Sequence, residues 1–211
     1  MATTLVDKNG NPIGADKIGN LLAASSAAPY QNVVGRGAAY YSNTTTAVAS
    51  VIAIPTTAHG FAIQNVDPDG GRVVIIDAVA ALITVNSGAA LAHLGIIANL
   101  GQARVANVTD AAVAIKSLSG QQQSPVNTAV RTLLTGTALD AVTGVAANWF
   151  PLGVGINTTV NALPGTQISV PVNGMIQVLP GRMFALHTLG SVITSSAQFY
   201  IFWHEERLPL L

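Results

Sequence analysis

The chain contains little charge. Lysine, arginine, aspartate and glutamate make up 9% of its 211 residues, against about 25% in an ordinary globular domain. Between Asp140 and Glu205 the only formally charged side chain is Arg182. The hydrophobic residues, which are 50% of the composition, therefore have few ionic neighbours to keep the surface from associating with other proteins. We expect a subunit whose surface is covered by copies of itself or by a larger assembly.

Cysteine is absent. Its absence excludes a disulfide framework, a thiolate zinc site and a cysteine nucleophile. The nine basic residues equal the nine acidic ones in number and are scattered singly along the chain, whereas nucleic-acid binding needs clustered Lys and Arg. We therefore expect no direct contact with DNA or RNA.

The first residues have neither the basic start nor the apolar core of a secretory signal, so we do not expect export by that route. Residues 78–100 carry no formal charge and are long enough to span a bilayer. However, Asn86-Ser87-Gly88 interrupts them, and His93 and Asn99 would be costly in lipid. We favour two strands joined by a turn over a membrane span.

Two regions of the chain differ in residue composition and hydrophobic pattern. Residues 1–37 are small, polar and interrupted by Gly and Pro, whereas short apolar runs separated by turn signals begin at about Ala38. This pattern predicts an extended N-terminal arm over residues 1–37 and a β-sandwich domain over residues 38–211. Within the arm, residues 16–28 fit a short helix. The apolar residues of the arm that we expect to contact a neighbouring subunit or a shell are Leu5, Val6, Ile13, Ile18, Leu21 and Leu22.

Runs rich in Val and Ile, each bounded by turn residues, predict strands throughout the second region. The predicted strands are residues 47–54, 60–66, 72–85, 91–98, 103–108, 112–118, 183–189 and 197–205. Asn173-Gly174 lies between two further runs, at 167–172 and 175–179, and predicts a hairpin turn because Asn-Gly tolerates positive φ at both positions. Residues 126–142 fit either a helix or a loop with strand pieces. Without regular crossover helices or a repeat, these runs predict an all-β, antiparallel sandwich of the jelly-roll type.

The last predicted strand alternates in character. Phe199, Ile201 and Trp203 share one face, and we assign this face to the core. The alternative is a row of aromatic side chains that stacks against sugars. The opposite face carries Gln198, Tyr200, Phe202 and His204.

The sequence contains no Gly-x-Ser-x-Gly elbow, P-loop or dinucleotide fingerprint. Asp67-Pro68-Asp69-Gly70-Gly71 begins like a calcium loop, but Ala78 stands at the twelfth position, where a bidentate Glu is required. We therefore predict a turn between strands. Because residues 141–204 also contain no acid and the chain no Cys, we expect no enzyme, with no catalytic, cofactor-binding or metal-binding residue.

The remaining titratable residues are interpreted structurally. The four histidines, His59, His93, His187 and His204, are far apart in the sequence, so a metal site would need the fold to gather them. Asp77 lies alone in an apolar run and either faces solvent or is buried with a partner such as Arg72. His204-Glu205-Glu206-Arg207 is interpreted as a solvated strand end.

Two segments carry a family resemblance. Leu5-Val6-Asp7-Lys8-Asn9-Gly10-Asn11-Pro12-Ile13 resembles the Asp-x-x-Gly-Asn-Pro-Ile starts of many tailed-bacteriophage virion proteins. The segments 178–186 and 199–205 resemble the closing strands of phage β-sandwich decoration, fibre and tail-associated domains. The resemblance implies a virion structural protein, commonly a trimeric jelly roll that decorates or reinforces the capsid.

The resemblance and the composition agree. We expect a non-enzymatic capsid decoration or cement subunit, located in the virion, that forms a homo-oligomer, with a trimer favoured. Its other partners would be virion proteins such as the major capsid protein. The alternative is a receptor- or glycan-binding jelly roll on a phage tail or a cell surface.

Overall fold

Two antiparallel β-sheets packed face to face form the described structure. The computed structural model describes residues 31–35, 37–55, 59–86, 92–101, 115–120, 128–133, 148–153, 156–158, 166–190 and 195–207. A five-residue helix, α1 (Gln31–Gly35), precedes the first strand. The strands are β1 (Ala39–Asn43), β2 (Val48–Ala49), β3 (Phe61–Asn65), β4 (Val73–Asn86), β5 (Ala92–Gly101), β6 (Lys116–Ser117), β7 (Val130–Leu133), β8 (Trp149–Pro151), β9 (Ile156–Thr158), β10 (Thr166–Val178), β11 (Met183–Gly190) and β12 (Ser195–Glu206).

The connectivity is that of a jelly roll. One sheet has the order β10-β4-β12-β1-β6, with β2 also on β12, and the other has the order β7-β3-β11-β5-β8, with β9 also on β5. Eight of these strands can be lettered B to I in chain order: β1, β3, β4, β5, β8, β10, β11 and β12. The two sheets then have the orders B-I-D-G and C-H-E-F, as in jelly rolls. The all-β antiparallel sandwich predicted from the sequence is confirmed.

The long pair β4 and β12 forms the centre of the first sheet. Trp203 pairs with Ile76 and Phe202 pairs with Ala78, so Asp77 is an extra residue, a β-bulge, on β4. The bulge shifts the alternation by one residue. Val74 and Ile76 before it and Val79, Ala81 and Ile83 after it therefore all belong to the buried core.

The core lies between the two sheets. Phe199, Ile201 and Trp203 are each 0% exposed there, which is the face that their alternation assigns to the core. Large side chains from the opposite sheet fill the other half of the core: Phe61, Ile63, Leu94, Ile96, Phe184 and Leu186. Trp203 also lies beside Tyr40, with the ring centroids 5.9 Å apart.

The predicted hairpin at Asn173-Gly174 is wrong. Residues 166–178 form the single strand β10, which pairs with β4 both before and after this dipeptide. Asn173 and Gly174 have φ values of 53° and 78°, so they adopt the turn-type backbone that their sequence favours. That backbone is used to push a four-residue bulge, between Pro171 and Ile176, out of a continuous strand.

Other strand predictions differ in extent. The predicted strand 47–54 contains only the two-residue β2, and Ile52 and Ile54 are exposed. The ambiguous segment 126–142 contains β7, and β1, β8 and β9 were not predicted. The predicted strand 103–108, the predicted helix 16–28 and the six arm contacts Leu5, Val6, Ile13, Ile18, Leu21 and Leu22 lie outside the described residues.

The uncharged stretch 78–100 contributes to two strands. Its first residues belong to β4 in one sheet and residues 92–100 belong to β5 in the other. Within the described residues, the chain forms no helix of the length and apolar character needed to cross a bilayer.

Replacing Trp203 with Ala should lower the free energy of unfolding by about 3–5 kcal/mol, because the change removes a fully buried aromatic side chain and leaves a cavity. Phe202→Ala is the matched control, since Phe202 is the next residue along the same strand but is only half-buried on the outer face. Denaturant unfolding of both variants measures the difference. Equal losses would contradict the assignment of the two faces.

Candidate functional site

Two groups of buried or partly buried polar side chains were not recognised in the sequence. The first, which we call the Glu205 cluster, consists of Glu205, Arg72, Asp67, Thr128 and Asn65 at one end of the sandwich. The carboxylate of Glu205 accepts hydrogen bonds from the Thr128 hydroxyl, from the Ala129 backbone N–H at 3.0 Å and from Arg72 Nη1 at 2.8 Å. Its side chain is only 1% exposed. The interpretation of Glu205 as part of a solvated strand end is therefore wrong.

Arg72 links Glu205 to Asp67. Its Nε donates to Asp67 Oδ2 at 3.0 Å and its Nη2 donates to Asp67 Oδ1 at 3.2 Å. Burial alone would raise the pKa of Asp67, but the hydrogen bonds and the charge of Arg72 outweigh it and hold that pKa below its usual value. The turn predicted for residues 67–71 is present, with Gly71 N donating to Pro68 O at 2.8 Å and Gly70 at a φ of 78°.

Asn65 connects the Glu205 cluster to both sheets. It lies at the end of β3, and its Nδ2 donates to the backbone oxygens of Arg72 and Val178 at 2.8 and 2.9 Å. Arg72 leads into β4 and Val178 ends β10, which both belong to the opposite sheet. The pKa of the nearby Tyr40 is raised, first by burial and then by the negative charge of Glu205. Since the polar groups satisfy one another, we interpret the cluster as a clamp between the sheets.

The second polar group is the pair of Asp77 and His204 on adjacent strands. His204 Nδ1 lies 2.9 and 3.0 Å from the two carboxylate oxygens of Asp77, and both residues are 8% exposed. The sequence allowed Asp77 to be either exposed or buried with a partner such as Arg72. It is buried, and its partner is His204. Asp77 follows the core residue Ile76 and His204 follows the core residue Trp203, so alternation places both side chains on the outer face of the sheet. We interpret the pair as structural.

The fold brings His59 and His187 together. Both are buried, and His187 Nδ1 accepts a hydrogen bond from Thr188 N at 2.9 Å. Burial lowers the pKa of His187 to about 4; the nearby His59 lowers it further, and the Thr188 carbonyl oxygen, 3.2 Å from Nδ1, opposes the shift. His187 is therefore neutral at pH 7. Across the described part of the chain, no three His, Asp or Glu residues are grouped so that they could hold a metal ion.

The outer face of the first sheet carries a partly exposed aromatic patch, formed by Tyr41, Phe202, Tyr200 and Lys116. The rings of Tyr41 and Phe202 are stacked with their centroids 5.8 Å apart. Lys116 Nζ lies 5.4 Å from the centroid of the Tyr41 ring, within the range of a cation–π contact. This patch lies on the face opposite to Phe199, Ile201 and Trp203, whose burial leaves them unable to act as a ligand platform.

Large aliphatic side chains are also exposed. Met175, at the bulge of β10, is 87% exposed, and Ile52 and Ile54 are 64% and 51% exposed. Leu179, in the turn before β11, is 49% exposed. These side chains are candidates for contacts with another protein, because water is an unfavourable environment for them.

Acidification should destabilise the protein through His187. Between pH 6.5 and 4 the unfolded chain takes up a proton at this residue and the folded chain does not, so the free energy of unfolding should fall by about 3 kcal/mol. The contribution of Asp67, whose pKa is lowered from 3.8, is lost only at lower pH. Urea unfolding at several pH values measures the fall. His187→Gln should remove most of it, and an unchanged pH dependence in this variant would contradict the account.

No protein-family model matches the chain, and no curated protein or solved structure is significantly similar to it. Any function must therefore be argued from the residues of this chain.

Proposed function

We propose that this protein is a non-enzymatic virion structural subunit, a capsid decoration or cement protein that self-associates and binds a phage shell. The observation that carries the proposal is a surface on which large apolar side chains are exposed while charge is scarce. Met175, Ile52, Ile54 and Leu179 are each about half exposed or more. Burying such side chains against a partner is favourable by about 25 cal/mol for each Å² of apolar surface.

The distribution of charge supports the same proposal. The described residues include five basic and five acidic side chains. Among them, Asp67, Arg72 and Glu205 are joined in ion pairs, and Asp77 is hydrogen-bonded to His204. The scarce charges are thus used partly inside the sandwich. A surface with few charges loses little solvation energy when a partner covers it.

The fold is compatible with the proposal but does not decide it. Jelly rolls occur in viral capsid proteins and also in lectins, and a fold by itself does not imply a function. The resemblance of residues 5–13 and of the closing strands to phage virion proteins favours the virion among these classes. In that setting the protein is a homo-oligomer, with a trimer favoured, and residues 1–37 form the arm that contacts a neighbour or the major capsid protein.

The aromatic patch favours a second candidate, a receptor- or glycan-binding jelly roll. Partly exposed aromatic rings beside a cation, as in Tyr41, Phe202 and Lys116, combine apolar and polar surface of the kind that can contact a sugar. The same patch serves equally as part of a protein interface, where Tyr and Phe are enriched. A monomer that binds glycans, and loses that binding in Tyr41→Ala, would replace the virion proposal with this one.

Native mass spectrometry at micromolar concentration should show a homo-oligomer. Met175→Asp should weaken the oligomer, because the change places a charge on the most exposed of the large apolar side chains. Gln177→Asp is the matched control, since Gln177 is an exposed polar residue on the same strand. A stable, soluble monomer at this concentration would overturn the proposal, as would absence of the protein from purified phage particles.

A further inference from the structure

β10 is the outermost described strand of its sheet, and its first half lacks the usual protection of an edge. None of its 13 residues is charged. Pro171 and the bulge between Pro171 and Ile176 block further pairing only in its second half. In residues 166–170, alternate residues direct backbone N–H and C=O groups away from β4. No described strand pairs with that side.

A slot of about 330 Å³ adjoins this open edge. Leu152 and Gly153 form one wall of the slot, and residues 167–171 form the other. The walls come together at Gly153, where a Cβ atom would lie 2.8 Å from Val170 Cγ2. No lining residue is charged. An edge for backbone pairing and an uncharged pocket therefore lie side by side. Domains that add an extended peptide to a sheet combine the same two features.

The slot indicates which kind of polypeptide segment could pair with the edge of β10. If β10 of a second copy paired with this edge, its inward side chains would remain in the core of their own sandwich, and the slot would stay empty. An extended segment that belongs to no sheet can place its own apolar side chains in the slot. The occupant is therefore a free segment that pairs with residues 166–170 and fills the slot with alternate side chains.

We propose that the slot binds the N-terminal segment of a neighbouring copy, residues 2–6 (Ala-Thr-Thr-Leu-Val). This segment is uncharged, and Thr, Val and Leu suit an extended strand that is half-buried. The proposal rests on the proposed function and specifies how the arm of one subunit holds the next. Residues 2–6 lie outside the described residues.

The chain has the reach for this exchange. The 25 residues from Val6 to Gln31 span up to about 80 Å when extended. Within one subunit, β12 and β4 lie between β1, which follows the arm, and β10. Three strand spacings of about 4.8 Å separate β1 from β10, so the arm is long enough to reach its own slot as well as a neighbour's. The self-association in the proposed function favours the neighbour, and the cross-linking test distinguishes the two.

Cysteine cross-linking tests this exchange cleanly, because the chain has no native cysteine. Tagged full-length protein carrying Leu5→Cys or Val6→Cys is assembled with untagged protein carrying Ser169→Cys, an exposed residue of the slot edge. The two donor variants cover both faces of the added strand. A short thiol-reactive reagent should then link tagged to untagged chains. The control acceptor is Gln177→Cys, which is exposed on the same strand beyond the bulge.

We expect one of the donor variants to link to Ser169→Cys about tenfold more than to Gln177→Cys, because docking raises the effective concentration of the thiols. Equal linking to both acceptors, or none, overturns the inference. A variant that carries both a donor and an acceptor cysteine, Leu5→Cys or Val6→Cys together with Ser169→Cys, gives a further control. Cross-links that form only within single chains of this variant also overturn the inference. Native mass of the unmodified protein separates the two proposals: an oligomer without the cross-link leaves the proposed function standing, and a monomer overturns both.

Discussion

The buried carboxylate of Glu205 is the interaction on which the described end of the sandwich depends. It lies on β12, the central strand of one sheet, and accepts hydrogen bonds from Ala129 just before β7 of the other sheet. Because a buried charge without partners costs several kcal/mol, Arg72 must stay in place, and through Arg72 the turn at Asp67 is held as well. Glu205 thus holds the segment before β7 and, through Arg72, the turn before β4. It joins the two sheets next to Ala38, where the N-terminal region enters the fold.

Using charge inside the sandwich has a consequence outside it. The chain has only 9% charged residues. Three of them, Asp67, Arg72 and Glu205, are joined in ion pairs with one another, which leaves fewer charges for the surface. On that surface Met175 is exposed, and β10 carries no charge along the described edge of its sheet. Isolated in water, such features favour aggregation. In a subunit that is covered by its neighbours, they supply the driving force for assembly.

The sequence predicted features that depend on local alternation, such as the core face of Phe199, Ile201 and Trp203, and it predicted the sandwich itself. It did not predict the hairpin region correctly, because positive φ at Asn173 and Gly174 suits a bulge as well as a turn. It also did not reveal the polar clusters. Arg72 and Glu205 are 133 positions apart and Asp77 and His204 are 127 apart, so only the strand order brings them together. The position of β10 as the outermost described strand of its sheet likewise follows from strand order and not from composition.

The central proposal is that apolar, charge-poor surface drives self-association of this protein. Sedimentation velocity of the intact protein at about 0.05 M and about 1 M sodium chloride tests it most directly, because salt screens ionic contacts between subunits but does not weaken apolar burial. The account predicts an oligomer at both salt concentrations, with no loss at the higher one. Dissociation to monomers at high salt, or a monomer at both, would contradict it.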